Sequence, residues 1–133
     1  MILGSGLGSL AEGLTSPVRL SFAQIPGFPQ PGVAGHAGEL VAGNLGGREV
    51  LAQSGRFHPY EAHSVATVAL PVRLFAALGA RILLLTNAAG GIRRTFRPGA
   101  PVLVADHLNL TFANPLIGGV MAKELRFPDM SHP

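Results

Sequence analysis

Short apolar segments that end in glycine-rich turns are the feature that most constrains the fold. Ile2-Leu3 runs directly into the segment Gly4 to Gly8, and the apolar segment Ile82 to Leu85 precedes Thr86 to Gly91. Glycine-rich turns of this kind follow strands in open α/β sheets, whose ligands bind at the strand ends. The pattern predicts an α/β fold, with a central sheet flanked by helices and functional loops at its edge.

Apolar runs and turn residues predict the remaining strands. Leu40 to Asn44 and Val50 to Gln53 are expected to pair as a hairpin through a Gly46-Gly47 turn. Ile82 to Leu85 and Val102 to Ala105 are fully apolar, which predicts two buried strands.

Two helices are predicted from capping residues and periodicity. The longer one is expected from Ser64 to Leu78, ending before Gly79, with a kink or break at Pro71. The shorter one is expected from Leu10 to Leu14, where the preceding Ser9 has the spacing of a capping box with Glu12.

The composition places limits on size and partners. Only 13% of the 133 residues are charged and 47% are hydrophobic, so the chain has little polar surface to cover itself. We therefore expect part of a larger core, a subunit of an oligomer, or both. The net charge of +3 comes mostly from scattered Arg residues, which argues against nucleic-acid binding and fits a small anionic ligand better.

Other features of the sequence concern location. No apolar run reaches the length of about 18 residues that a membrane span needs, and no basic segment of a secretory signal precedes Ile2. The chain has no cysteine, hence no disulfide and no thiolate metal site. We expect a cytoplasmic protein with no membrane partner.

The segment Gly4 to Gly8 can bind an anion. Glycines allow backbone N–H groups to converge on a negative charge, the dipole of a following helix favours it, and the Ser5 hydroxyl adds a donor. The segment lacks the third glycine and the later acidic residue of a dinucleotide fingerprint, and it lacks the lysine of a P-loop. A plain glycine turn remains an equal alternative.

Arg56 to Glu61 is the segment richest in functional side chains. Arg56 can bind phosphate through two donors, and His58 can add a third. Glu61 can fix the state of His58, and Tyr60 offers a hydroxyl on an apolar ring. The alternatives are a solvated turn and, more weakly, a metal site at His58 and His63.

Three further segments carry weaker signals. Asn87 to Gly91 contains small residues that permit a close approach of the backbone to a ligand, with a plain strand-to-loop turn as an equal alternative. His36 lies in the loop Pro26 to Gly38, whose composition predicts enough mobility for a lid over a ligand. A surface histidine without a function is an equal alternative. Asp106-His107 is an acid–base pair or, more plausibly, a structural one.

Taken together, these motifs resemble the trimeric purine nucleoside phosphorylases in order and approximate spacing. The matching segments are Gly4 to Gly8, Ile25 to Pro29, Gly35 to Gly38, Gly55 to Glu61, Asn87 to Gly91, Asp106 to Leu110 and Arg126 to Ser131. The methylthioadenosine phosphorylases share the fold and rank second, because their glycine loop and Arg-His segment differ. The resemblance implies a partial nucleoside-phosphorylase fold, with a mixed central β-sheet flanked by helices and with residues 1–133 forming the N-terminal portion of one domain.

The resemblance also implies a reaction and its residues. A purine nucleoside and phosphate would give the free purine and ribose 1-phosphate, with phosphate as co-substrate and no cofactor or metal. The implied phosphate ligands are Ser5, His36, Arg56, His58 and the Ala88 N–H group. Tyr60 and, from a neighbouring subunit of a homotrimer, Phe127 would contact the ribose, while Glu61 would orient His58.

The sequence departs from the family in its extent. Family members are much longer, begin with a helix that is absent here, and carry the purine-binding residues in their second half. We therefore expect a fragment with a phosphate half-site, without turnover of its own and without a readable purine preference. A non-catalytic anion- or partner-binding protein and a Rossmann-like nucleotide binder are the alternatives.

Overall fold

A computed structural model describes residues 1–29, 38–120, 124–129 and 131. The chain divides into two compact units, Met1–Ala89 and Gly90–Pro133. Within the described residues, the named helices and strands all lie in the first unit. No helix in this part of the chain is long and apolar enough to cross a membrane.

The first unit is a four-stranded mixed sheet with helices. Its elements are β1 (Ile2–Leu3), α1 (Ser9–Glu12), β2 (Thr15–Ser21), β3 (Glu39–Leu45), β4 (Arg48–Ser54) and α2 (Val65–Ala77), with single turns of 3-10 helix at Phe22–Gln24 and Pro59–Glu61. The strand order is β1-β4-β3-β2. β1 runs parallel to β4, and the other neighbours are antiparallel. The predicted α/β class with a mixed sheet is confirmed.

The β3–β4 hairpin forms as the sequence predicts. Leu45 pairs with Arg48 across the two-residue Gly46-Gly47 turn. The two glycines have φ angles of +56° and +79°. Two-residue hairpin turns need positive φ angles to match the right-handed twist of the strands, and glycine adopts them without strain. Both strands are longer at each end than predicted.

Strand β2 was not predicted, because Pro17 interrupts its pattern. The structure places this strand at the edge of the sheet. An edge strand tolerates proline, because one side of the strand has no neighbouring strand to which the missing N–H group would donate. The register with β3 shifts between Thr15 and Val18, and Ser16 has a φ of +51°. Pro17 thus sits in an irregular part of an edge strand.

Helix α2 agrees with its prediction within one residue at each end. Ser64 is the N-cap, and its Oγ accepts the Thr67 N–H group at 3.1 Å. Gly79 follows with a φ of +86°, a left-handed conformation typical of the residue after a helix. The helix continues through the buried Pro71, so the predicted break is absent.

Helix α1 differs from its prediction. It spans only four residues, its N-cap is Gly8, and no side chain caps it, so the predicted Ser9–Glu12 capping box does not form. Glu12 instead pairs with Arg19 of β2 at 2.9 Å, and Arg19 also contacts Glu39 of β3 at 2.5 Å.

Two apolar clusters cover the two faces of the sheet. The buried residues of the first cluster are Ile2, Phe22, Leu40, Phe57 and Phe75, and Val68, Val72 and Leu74 of α2 pack against them. The buried residues of the second cluster are Leu3, Ala11, Leu14, Val41 and Ala52. Successive residues of a strand point to opposite faces, which is why Ile2 and Leu3 belong to different clusters. The helices therefore flank the sheet, as predicted.

Two predicted buried strands are wrong. Of Ile82 to Leu85, only Leu85 makes a strand-like bridge, to Ile2, and all four side chains are exposed. β1 is only two residues long before the Gly4 turn, so it offers this segment too short a template. Val102 to Ala105 forms no strand with the described residues, and Leu103 is 95% exposed.

Candidate functional site

Three of the predicted functional segments meet at one residue, Thr86. The Gly4 N–H group donates to Thr86 Oγ1 at 2.8 Å, and Arg56 Nη1 donates to the Thr86 carbonyl oxygen at 2.9 Å. Thr86 directly precedes the small-residue segment Asn87 to Gly91. The glycine turn, the arginine segment and the small-residue segment are therefore brought together, and we call this convergence the Thr86 junction.

Backbone pairing explains why the segments meet. β4 pairs in parallel with β1 through Ile2↔Gln53 and Leu3↔Ser54. On the other side of β1, the Ile2 N–H group donates to the Leu84 carbonyl at 2.8 Å and the Ile2 carbonyl accepts the Thr86 N–H group at 3.1 Å. Three parallel segments thus end at the same edge, where α/β sheets place their ligands.

Gly4 is a close-approach position in the junction. A Cβ atom added there would lie 2.5 Å from the Thr86 carbonyl oxygen and 2.8 Å from Asn87 Cα. Both neighbours are backbone atoms, which have little room to move. The position therefore requires glycine. A side chain there would displace the Thr86 carbonyl oxygen, which is the acceptor of Arg56 Nη1. Gly6, two residues later, has a φ of +84° and shapes the turn in which the Leu7 N–H group donates to the Gly4 carbonyl.

The Arg56 guanidinium lacks a compensating charge within the part of the chain that the structure describes. Its Nε is buried without a hydrogen-bond partner there, and only Nη1 is engaged, by a neutral carbonyl. Arg19 is different, because two carboxylates surround it. A half-buried cation with unused donors is costly unless an anion meets it. The environment of Arg56 therefore fits an oxyanion ligand.

The segment that follows Arg56 is ordered by its own side chains. The Glu61 Oε2 atom accepts the His58 backbone N–H group at 2.8 Å and closes the turn of 3-10 helix at Pro59–Glu61. The His58 ring stacks on Tyr60, with centroids 4.6 Å apart and planes at 13°. Tyr60 is 74% exposed and can offer its hydroxyl to a ligand. The Glu61 carboxylate thus contacts the His58 backbone, and its expected effect on the His58 ring stays a prediction.

The other predicted site residues have different surroundings. Ser5 and Ala88 are exposed in the first unit, one residue after Gly4 and two residues after Thr86. Phe127 belongs to the second unit and is 89% exposed. His36 lies outside the described residues. The side chain of Asp106 accepts the backbone N–H group of His107 at 2.7 Å, which fits a structural pair.

One expectation about the site's chemistry changes. The predicted helix dipole behind the glycine turn is missing, because α1 has only four residues and too few aligned peptides to supply one. The donors near Gly4 must come instead from the turn and from Arg56. Within the described residues, no three His, Asp or Glu side chains gather as a metal site, and His63 packs edge-on against Phe57.

Thr86 is the residue that sequence reasoning missed. It stands between an apolar segment and a turn of small residues, so it reads as an ordinary strand end. A hydroxyl side chain at the end of an apolar segment can bond to a neighbouring backbone. That signal was present but could not show which backbone it would meet.

Comparisons with known proteins identify the family of the chain. Residues 1–133 match the phosphorylase superfamily. The chain is 51% identical over 132 residues to purine nucleoside phosphorylase 1 of Bacillus subtilis and 47% identical over 135 residues to the purine nucleoside phosphorylase of Rattus norvegicus. These alignments include 98% of this chain but 49% and 47% of the relatives, so the chain spans about half their length.

Solved structures give the same result. The chain superposes with a TM-score of 0.88 and 45% identity on a purine nucleoside phosphorylase in complex with ribose-1-phosphate, covering 98% of this chain and 49% of that one. It superposes with a TM-score of 0.87 and 43% identity on the Schistosoma mansoni enzyme in complex with inosine, of which it covers 47%. The predicted nucleoside-phosphorylase fold is confirmed for the part that the chain spans, and the chain belongs to the phosphorylase superfamily.

Proposed function

We propose that this chain supplies the phosphate-binding half of a purine nucleoside phosphorylase. The observation that carries the proposal is the Arg56 guanidinium, which is held against Thr86 with a buried, unpartnered Nε among the described residues. An Arg fork binds the oxygens of phosphate in a bidentate manner, which a single carbonyl cannot replace. Membership of the phosphorylase superfamily supports phosphate as the anion.

The proposed reaction is phosphorolysis of a purine nucleoside. An oxygen of hydrogen phosphate bonds to C1′ of the ribose as the bond from C1′ to the purine nitrogen breaks, and the proton of the hydrogen phosphate ends on the purine. The ribose passes through a state of oxocarbenium character, which a held phosphate dianion both stabilises and attacks. The relatives' complexes with inosine and with ribose-1-phosphate support these substrates.

Each site residue has a proposed role. Arg56, His58, the Ser5 hydroxyl and the Ala88 N–H group donate to phosphate. Glu61 anchors the backbone of His58, which supports its part in the site. The remaining proposed contacts are those of His36 with phosphate and of Tyr60 and Phe127 with the ribose.

Assembly and location belong to the same proposal. In a homotrimer, the Phe127 ring would reach the sugar pocket of an adjacent subunit. This contact would cover an aromatic side chain that is 89% exposed in the single chain. We also propose a cytoplasmic location, which fractionation of cells that express the protein would test.

The experiment is a phosphorolysis assay on inosine and guanosine, run on the chain itself and on a chimera. In the chimera, this chain replaces the matching half of purine nucleoside phosphorylase 1 of Bacillus subtilis. We expect turnover from the chimera, its loss in Arg56→Ala, and little or none from the 133-residue chain. A chimera that folds and binds phosphate but leaves nucleosides intact would instead support a non-catalytic anion-binding protein.

A further inference from the structure

Thr86 has all of its polar groups engaged at the junction. Its N–H group donates to the Ile2 carbonyl at 3.1 Å, and its Oγ1 lies 3.2 Å from the same oxygen and 2.8 Å from the Gly4 nitrogen. Its own carbonyl accepts Arg56 Nη1 at 2.9 Å. A threonine hydroxyl has one proton, so Oγ1 donates to Ile2 and accepts from Gly4.

We propose that Thr86 is a positioning residue for phosphate, which acts through Arg56 and the Gly4 turn. This inference rests on the proposed function, since it takes phosphate as the ligand of Arg56. The hydroxyl fixes the start of the glycine turn, and the carbonyl of the same residue fixes the guanidinium. One residue thus sets the distance between the two groups of phosphate donors.

Gly4 couples these two contacts. Its Cα lies so close to the Thr86 carbonyl that an added Cβ would be 2.5 Å from the oxygen. A shift of the glycine turn toward Thr86 therefore displaces the acceptor of Arg56 Nη1. The turn and the guanidinium cannot move independently while the Thr86 hydroxyl holds Gly4.

The side-chain chemistry at position 86 makes the proposal testable. Valine has nearly the shape of threonine, but it leaves the buried Gly4 N–H group without its acceptor. Serine keeps the hydroxyl and loses the methyl group that restricts χ1. If the hydroxyl acts as proposed, Thr86→Ser retains the junction and Thr86→Val loses it.

The first measurement is equilibrium dialysis of the chain against radiolabelled inorganic phosphate, with melting temperatures recorded in parallel. We expect Thr86→Val to weaken phosphate binding by about tenfold or more, because the buried Gly4 N–H group is left without an acceptor. Thr86→Ser should stay within about twofold of the wild type. Thr95→Val, a matched change at an exposed threonine, should bind like the wild type. If Thr86→Val does not fold, Thr86→Ala takes its place with the same expectation.

The second measurement is hydrogen exchange of the Gly4 amide at single-residue resolution, without phosphate. It should accelerate in Thr86→Val and stay slow in Thr86→Ser. The inference is overturned if Thr86→Val binds phosphate like the wild type, or if Thr86→Ser loses as much affinity as Thr86→Val. A third outcome separates the two proposals. If the wild type binds phosphate no better than Arg56→Ala, the proposed function fails. If the exchange of the Gly4 amide still follows the expected pattern in that case, the Thr86 hydroxyl holds the glycine turn without serving phosphate.

Discussion

The Glu61 carboxylate holds His58 by its backbone, with Oε2 accepting the N–H group at 2.8 Å. The contact closes the single turn of 3-10 helix that follows Arg56, and the stack of the His58 ring on Tyr60 completes the local order. Because its backbone is held by this hydrogen bond, the position from which the His58 side chain extends is fixed. The segment is thus organised as a short capped turn beside the Thr86 junction.

This contact predicts a difference between two substitutions of Glu61. Glu61→Ala should lower the free energy of unfolding by about 1 kcal/mol, as the loss of a cap acceptor does. Glu61→Gln retains an amide oxygen at the same place and should cost less than about 0.5 kcal/mol. Urea unfolding followed by circular dichroism checks both values, with Glu49→Ala at an exposed position of β4 as control. Equal losses in the two Glu61 variants would mean that charge, rather than the accepted hydrogen bond, is what matters.

The close approach of Gly4 predicts that its substitution is costly. Gly4→Ala should destabilise the chain by about 1–3 kcal/mol, the usual cost of forcing extra atoms into a packed site, and should weaken phosphate binding as the Thr86 carbonyl is displaced. Gly8→Ala is the matched control, because an added Cβ there meets no described atom within 4 Å and its φ is −56°. Urea titration compares the stability of both variants, and phosphate dialysis is applied to Gly4→Ala. Similar behaviour of the two variants would show that Gly4 is not sterically confined.

The aromatic cluster beneath the site predicts a second stability effect. Phe22 is fully buried and meets Phe28 and Phe57 edge-on, with each pair of ring centroids 5.3 Å apart. Phe22→Ala should therefore cost about 3–5 kcal/mol. Ile92→Ala, at a side chain that is 99% exposed, should change stability by less than about 0.5 kcal/mol. A loss below about 1 kcal/mol for Phe22→Ala would contradict a close-packed core at this point.

The exposed apolar side chains predict self-association of the 133-residue chain. Among them, Leu103 is 95% exposed, Leu108 88% and Ile117 78%, all in the second unit. Exposed apolar side chains in such number promote association, and the low content of charged residues gives little protection. Light scattering should show heterogeneous association, reduced in a Leu103→Ser and Ile117→Ser double variant. A monodisperse, cooperatively melting monomer of 13.7 kDa would contradict this prediction.

The sequence allowed local structure to be predicted better than long-range pairing. The β3–β4 hairpin and α2 depend on nearby signals, the paired glycines at 46 and 47 and the Ser64 cap. The errors at Ile82 to Leu85 and Val102 to Ala105 arose because an apolar run indicates a need for burial but not a partner strand. β2 was missed because Pro17 is compatible with a strand only at a sheet edge, and edge position is a property of the whole fold.

The candidate site shows the same division. The sequence indicated the glycine turn, Arg56 and the small-residue segment separately, because each has its own residue chemistry. It could not indicate that Gly4 and Arg56 both bind Thr86, since those contacts join residues 82 and 30 positions apart. Phosphate as the ligand came from the family resemblance and stays a proposal.

The central claim is that Arg56 binds phosphate, and the most direct measurement is equilibrium dialysis against radiolabelled phosphate across an arginine series. The account predicts that Arg56→Ala abolishes the saturable binding of the wild type and that Arg56→Lys restores it in part, because an ammonium group lacks the guanidinium fork. Arg48→Ala, which removes an equal charge from an exposed position of β4, should leave the affinity unchanged. Wild-type affinity in Arg56→Ala, or an equal loss in Arg48→Ala, would contradict the account.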